Sequence, residues 1–219
     1  MIVTDQRQLE ALAPTSIGFL GGSFNPAHAG HVALATHVLE HHLAYVAFCP
    51  HSFHPEKQRL LAPIDDRLHI LRLFVARSPY RKRLLVVHPS VVAGTQGAGF
   101  VALHGRLVAL GCRCGLLAGA DAVLRPHYPD YLCDLPHFIS LRGDDHSVTK
   151  VRSRLRGPVV FCDSDHADHS STKVRHALAR GEAHDLDDEL RRFLHEQRLF
   201  GCGPSAPAHT AADPARSRS

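Results

Sequence analysis

Eleven residues near the start of the chain have types and spacings that chemistry could use: Gly21-Gly22-Ser23-Phe24-Asn25-Pro26-Ala27-His28-Ala29-Gly30-His31. The glycine pair lets the backbone turn sharply and lie close to a ligand. Before it, the apolar run at 17–20 reads as a buried strand. After it, Val32, Leu34, Ala35, Val38 and Leu39 recur at helical spacing. A strand, a glycine turn and a helix start together make an anion site, because free N–H groups and the helix dipole converge on one point. His28 and His31 sit at that helix start. A second candidate lies far along the chain, at Ser170-Ser171-Thr172-Lys173-Val174-Arg175. Hydroxyls at a helix head can donate to a phosphate beside the backbone N–H groups, and Arg175, about one turn in, can return to the same anion. Taken alone, that string is also what an ordinary capped helix with a surface arginine looks like.

Other chemistries lack their signatures. There is no Walker A string and no G-x-S-x-G elbow. The glycine-rich loop at 94–99 does not have the dinucleotide spacing, and no acidic residue follows it at the required distance. Nineteen histidines invite a metal reading through His51/His54, His37/His41 and His166/His169, but no Cys, Asp or Glu cluster completes a site. No metal ligand is therefore assigned, and a His-dependent metal-binding protein is kept as an alternative. The six cysteines are scattered, several in or beside apolar runs, and read as buried free thiols of a reducing compartment. Cys112-Arg-Cys114 is spaced too closely for the common zinc pattern.

Elements must hold these groups, and the pattern supplies them. Residues 1–15 read as a polar lead-in. Strands are expected at 17–20, 44–49, 84–87, 114–118, 138–141 and 159–162. Helices are expected at 31–42, 64–75, 100–110, 170–180 and 186–200, with 144–157 irregular. Alternation of strand and helix predicts an α/β protein, a parallel sheet with helices on both faces. In such sheets ligands sit at the carboxyl ends of the strands near a topological switch point. The loops after the strands at 17–20, 44–49, 114–118 and 159–162 would then share one cleft. One domain is expected over 1–202, followed by a disordered Gly/Pro/Ala/Ser/Arg tail at 203–219. The net charge of +4 is mild, and no Lys/Arg block suggests a nucleic-acid partner. No apolar run reaches the roughly 20 residues of a membrane span, and the polar start lacks a signal-peptide core, so a cytoplasmic protein without membrane association is expected.

Read together, G-G-S-F-N-P-A-H-A-G-H and S-S-T-K-V-R resemble the nucleotidylyltransferase superfamily with its HxGH and SSTxxR-type signatures. Within it, the chain is most similar to the nicotinate- and nicotinamide-mononucleotide adenylyltransferases. The likeness covers most of 16–201. His54-Pro55-Glu56-Lys57 with Pro63 and Arg67 is similar to the family's basic loop and the helix after it, Leu117-Ala118-Gly119-Ala120-Asp121 to its G-x-D segment, and 190–201 to its terminal helix.

The resemblance implies a Rossmann-like nucleotidylyltransferase fold and adenylyl transfer from ATP to a mononucleotide's 5′-phosphate in NAD biosynthesis. It implies that His28, His31 and Arg175 are catalytic. Gly21, Gly22, Ser23, Phe24, Lys57, Gly119, Asp121, Ser171 and Thr172 would bind ATP. Asn25, Thr95 and Tyr128 would bind the acceptor. Mg²⁺ would arrive on the ATP phosphates, and the partners would be small-molecule nucleotides, with homo-oligomerisation left open. The acceptor's phosphate is already a nucleophile, so positioning and charge stabilisation can carry the rate. The chain departs from the family where a Ser-Tyr-Thr-like stretch is usual, reading Gly94-Thr95-Gln96-Gly97, and it has no tryptophan, leaving Tyr128 or Tyr131 to offer a stacking face. The alternatives are transfer to another phosphorylated acceptor and a non-catalytic nucleotide-binding module.

Overall fold

Seven short strands lie side by side: β1 (Ile2–Val3), β2 (Ser16–Gly22), β3 (Tyr45–Pro50), β4 (Leu84–Val87), β5 (Arg113–Gly119), β6 (His137–Ser140) and β7 (Val159–Cys162). They come from a computed structural model that describes residues 1–52, 60–92, 98–141, 146–162, 170–182 and 186–202. All pair in parallel, in the order β1-β4-β3-β2-β5-β6-β7. The helices are α1 (Gln6–Glu10), α2 (Ala29–His41), α3 (Ile64–Arg77), α4 (Ala98–Ala109), α5 (Ala120–Val123), α6 (His146–Arg154), α7 (Ser171–Ala179) and α8 (Asp188–Glu196).

From β2 the chain winds outward through β3 and β4, then returns through α4 to β5 on the other side of β2. Without β1 this is the doubly wound order, and its switch point falls between β2 and β5. Those two strands are in register from Ser16↔Arg113 to Leu20↔Leu117. Being parallel, they deliver their carboxyl ends to the same edge.

Alternation across the pleat fills both faces. Ile17, Phe19, Ala47, Cys49, Leu85, Val87, Cys114 and Leu116 pack in one cluster with Leu9 of α1 and Leu103 and Leu107 of α4. Their neighbours Leu20, Val46, Phe48, Leu84 and Val86 are also buried and by the pleat face the other way, where α2 and α3 meet β3 and β4. At Gly18 a Cβ would stand 2.5 Å from Leu117 Cδ1 and 2.9 Å from Leu43 Cδ1, so this face of β2 has room for hydrogen alone. A smaller cluster, Ala118, Ala120, Val123, Cys133, Ile139, Val151 and Leu155, closes the β5–β7 end.

Two expectations are corrected here. Residues 1–15 are not a lead-in: β1 pairs with β4, and α1 is a capped helix whose Leu9 is wholly buried. Asp5 accepts from Arg7 N–H while Gln8, at the third helical position, accepts from Asp5 N–H, a capping box written in the sequence as Asp5-x-x-Gln8. Likewise 144–157 is not irregular, since α6 occupies His146–Arg154 and buries Val151. Its signal was the spacing of Val148, Val151 and Leu155 among polar neighbours.

The chain divides into two compact units, the first being Met1–Val174 and the second beginning at Arg175. In the second, α7 ends before Gly181, which takes the left-handed φ of 70°. The Asp187 carboxylate caps α8 by accepting from Leu190 N–H at 2.9 Å, and Leu190 and Leu194 are buried. The expected tail at 203–219 lies outside the described residues. All six cysteines are free and buried, and burial pushes the Cys49 thiol up to about 12. No helix among the described residues is long and apolar enough to cross a membrane.

If α1 is part of the fold, Leu9→Ala should cost about 2–5 kcal/mol in urea unfolding. A change below about 0.5 kcal/mol, the scale of a surface substitution, would return 1–15 to a mere lead-in.

Candidate active site

The carboxyl ends of β2 and β5 both finish in glycine, and each glycine sits under a polar side chain. A Cβ on Gly21 would stand 3.2 Å from His51 Nε2, and one on Gly119 would stand 2.5 Å from Asp121 Oδ1. Neither glycine takes a positive φ, so no turn requires it, and what lies over each is the tip of an exposed side chain. His51 continues the β3 ladder by donating its N–H to Gly22 O at 2.9 Å.

The loop that follows β2 is buried rather than draped on the surface. Phe24, Asn25, Pro26, Ala27 and His28 all lie inside. Phe24 adopts φ 44°, the left-handed region that disfavours a bulky side chain. Its ring packs edge-on against Phe48 and His31, with centroids 5.8 and 4.8 Å away. The Asn25 side chain donates to Leu60 O at 2.7 Å and accepts from Ala62 N–H at 2.9 Å. Arg67, 1 % exposed on α3, donates from Nη1 to Ser23 O at 2.7 Å and to His51 O at 2.8 Å, and from Nε to Ala62 O at 2.9 Å. Burial lowers its pKa from the ordinary guanidinium value.

His28 is the N-cap of α2, with extended backbone and 4 % exposure. His31 is the third helical residue, and its Nδ1 accepts from His28 N–H at 3.2 Å. A nitrogen that accepts cannot carry the proton, so the neutral ring holds it on Nε2. The two imidazoles lie 3.8 Å apart, centroid to centroid. Both stand where the N-terminal N–H groups of α2 concentrate positive potential.

The second motif meets this loop directly. Ser171 Oγ donates to Pro26 O at 2.9 Å. Ser170 caps α7, its Oγ accepting from Lys173 N–H at 3.2 Å. Arg175 lies one turn further along the same helix, half-buried, its pKa lowered by that burial. The head of α7 and the head of α2 are thus tied through one carbonyl.

The structure therefore brings Gly21, Gly22, Ser23, Phe24, His28, His31 and Ser171 together around one loop. Gly119 and Asp121 stand at the end of the adjacent strand, where Asp121 forms an exposed pair with Arg125 at 3.5 Å. Lys57 and Thr95 lie outside the described residues, and so do His54, His166 and His169.

Asn25 and Ser171 have structural contacts beside their expected roles, and the placement of Tyr128 corrects its expected role. Asn25, expected on the acceptor, also anchors the 60–62 segment through both ends of its amide. Ser171, expected to donate to a phosphate, gives its only hydroxyl proton to Pro26. Tyr128, expected to stack on the acceptor, packs on the small cluster, and its hydroxyl meets His137 Nε2 at 2.7 Å, at the amino end of β6. That end is opposite the edge carrying Gly21 and Gly119.

Two residues of the arrangement, Arg67 and His51, were not assigned from sequence. Arg67 follows an acidic first turn in an amphipathic helix, where an arginine reads as solvated. The hints were its place in the family-like segment with Pro63 and its position between Leu68 and Ile64 on the apolar side.

Comparison with known proteins shows the family. A family model described as "Cytidylyltransferase-like" matches residues 19–177. A protein of Geobacillus thermodenitrificans described as "probable nicotinate-nucleotide adenylyltransferase" is 40% identical over 210 residues, covering 90% of this chain and 92% of the relative. A protein of Geobacillus kaustophilus with the same description is 27% identical over 197 residues, covering 84% and 86%. Among solved structures, the nicotinic acid mononucleotide adenylyltransferase of Plasmodium falciparum, complexed with NaAD, shares the fold with a TM-score of 0.69. It does so at 13% identity, over 86% of this chain and 98% of that one.

The anchoring contact of Asn25 is testable. Asn25→Ala leaves Ala62 N–H buried without its acceptor, so stability should fall by about 1–3 kcal/mol in urea unfolding. An unchanged midpoint would mean that the amide does not hold the 60–62 segment.

Proposed function

The chain belongs to the cytidylyltransferase-like family of nucleotidyltransferases, and from that premise we propose that it is a nicotinate-nucleotide adenylyltransferase of NAD biosynthesis. It transfers the adenylyl group of ATP to the 5′-phosphate of nicotinate mononucleotide, giving the dinucleotide and pyrophosphate. The observation that carries this reading is the imidazole pair at the head of α2, at the switch point, joined to the head of α7 through Pro26.

An oxygen of the mononucleotide phosphate attacks the α-phosphorus of ATP. The new O–P bond forms as the bond to the bridging oxygen of the β-phosphate breaks, and pyrophosphate leaves with that electron pair. No covalent intermediate and no strong base are needed. His31 Nε2, protonated because Nδ1 accepts from the backbone, is a donor for the phosphate oxygens that gain charge. His28 stands beside it. Gly21 and Gly22 add no side chain of their own at the strand end, so that phosphates can approach the backbone beside His51 and Phe24. Thr172 and Arg175 on α7, with Lys57, supply donors to the outer phosphates. Ser171 serves by docking α7 on the loop. Gly119 and Asp121 line the nucleoside side, Asp121 accepting from ribose hydroxyls once Arg125 yields.

The groups proposed for the phosphates are imidazoles, amides and cations, which suit phosphate oxygens and not a hard divalent ion, and the Asp121 carboxylate is assigned to the ribose. The Mg²⁺ of the reaction is accordingly the one carried by ATP, where it screens phosphate charge.

Purified protein given ATP with nicotinate or nicotinamide mononucleotide should make the dinucleotide and pyrophosphate, with the acid preferred. Release of ADP would refute the reaction class. No product with either mononucleotide, beside turnover of another phosphorylated acceptor, would refute the acceptor. His31→Ala should fold normally and lose about 10²–10³ in kcat, the usual cost of removing one such donor. An unchanged kcat would remove His31 from the chemistry.

A further inference from the structure

We propose that Arg67 is a positioning residue that sets the His31 imidazole through Ser23 and Phe24, a role that rests on the functional reading above. Arg67 touches no reacting atom. Its planar fork holds carbonyls from the loop after β2 at Ser23, the loop after β3 at His51 and the lead-in to α3 at Ala62. Among the described residues it has no ion pair, so its hydrogen-bonding is directed at backbone.

The path to His31 is short and made of contacts. Ser23 O belongs to the peptide plane that enters Phe24, so anchoring it fixes the plane from which the Phe24 φ is measured. Phe24 sits at φ 44°, a conformation that a bulky residue keeps only where its surroundings over-determine it. Two things hold it there: the Arg67 anchor on one side, and the packing of its buried ring against Phe48 on the other. The same ring is one wall for His31, and the His28 ring is another, at 4.8 and 3.8 Å between centroids. Release of Ser23 O lets Phe24 relax from the left-handed region. The wall then moves, and His31 loses the alignment of Nδ1 on His28 N–H at 3.2 Å that fixes its tautomer. Lysine cannot replace arginine here, because an ammonium on a flexible stem does not present a rigid planar fork to three carbonyls.

Arg67→Lys keeps the charge and loses the fork. Arg67→Gln loses the charge and keeps one amide. Both are made in the full chain and assayed with ATP and nicotinate mononucleotide. The His31 ring nitrogens are followed by ¹⁵N NMR, assigned by difference from His31→Gln. We expect folded variants whose kcat falls about 10- to 100-fold, as for a displaced reacting group. The KM for ATP should stay within about threefold, since ground-state contacts are retained. The single Nε2–H tautomer of His31 should give way to exchange between the two forms.

A folded variant that keeps either the wild-type kcat or the wild-type tautomer overturns the proposal, and so does failure of both variants to fold, which would make Arg67 purely structural. If the wild type makes no dinucleotide, the functional reading fails instead. The NMR comparison then still decides whether Arg67 sets His31.

Discussion

A loop withdrawn from water must find partners for its backbone polar groups within the protein, and the Ser23–His28 loop is withdrawn along nearly its whole length. The rest of the candidate site follows from how that requirement is met. Ser23 O is taken by Arg67, Pro26 O by Ser171 and His28 N–H by His31. The Asn25 amide serves the neighbouring segment at Leu60 and Ala62. Each partner comes from a different stretch of sequence, so satisfying one buried loop draws α2, α3, the β3 exit and the head of α7 to the same strand end. Because β2 is paired on both sides, the loop leaves from an interior strand of the sheet.

Arginine does this work at a second place as well. Arg83 donates from Nη2 to Leu39 O at 2.6 Å and Leu43 O at 2.8 Å, and from Nε to Ala44 O at 2.8 Å, closing the carboxyl end of α2. A cation there meets the negative end of the helix dipole and the carbonyls the helix leaves unpaired. Thus α2 is held at its head by the imidazole pair and at its foot by a guanidinium. The helix that presents His28 and His31 is fixed at both ends by side chains, which suits a site whose chemistry rests on positioning.

These two levels were not equally legible in the sequence. The sheet was, because β2, β3, β4, β5, β6 and β7 are apolar runs bounded by glycine, proline or charge, and such runs report burial whatever packs on them. The glycine-histidine string and the hydroxyl string were legible for the same reason: residue type and spacing are local. What stayed hidden was non-local. Nothing near Asn25 says that its partners are Leu60 and Ala62, and nothing near Arg67 says that Ser23 lies opposite it. Ser171 showed its hydroxyl but not the carbonyl waiting for it. Tyr128 looked like a free aromatic because its partner, His137, is nine residues on and across a turn. The short β1 and α1 failed for another reason, since two strand residues carry too little periodicity, although the Asp5–Gln8 capping pair was in plain view.

The spacing of His28 and His31 has its own physical logic. N-cap and third helical position are the two places that exchange hydrogen bonds in a capping box, where the third residue is ordinarily Glu or Gln accepting the N-cap N–H. Here an imidazole does that job through Nδ1. A glutamate would satisfy the backbone equally well and would bring a negative charge to the one point where the helix head, the glycine strand end and the second motif all favour an anion. A glutamine would be neutral, but its amide has a rotatable terminus and can turn its donor away. The imidazole is rigid: once one ring nitrogen is committed to the cap, the other carries the proton and points along a fixed direction. Local helix capping therefore selects the tautomer, and the tautomer leaves Nε2–H as a donor. A signature that reads as chemistry is in the first place a way of starting a helix, and the donor it leaves outward is a consequence of that start.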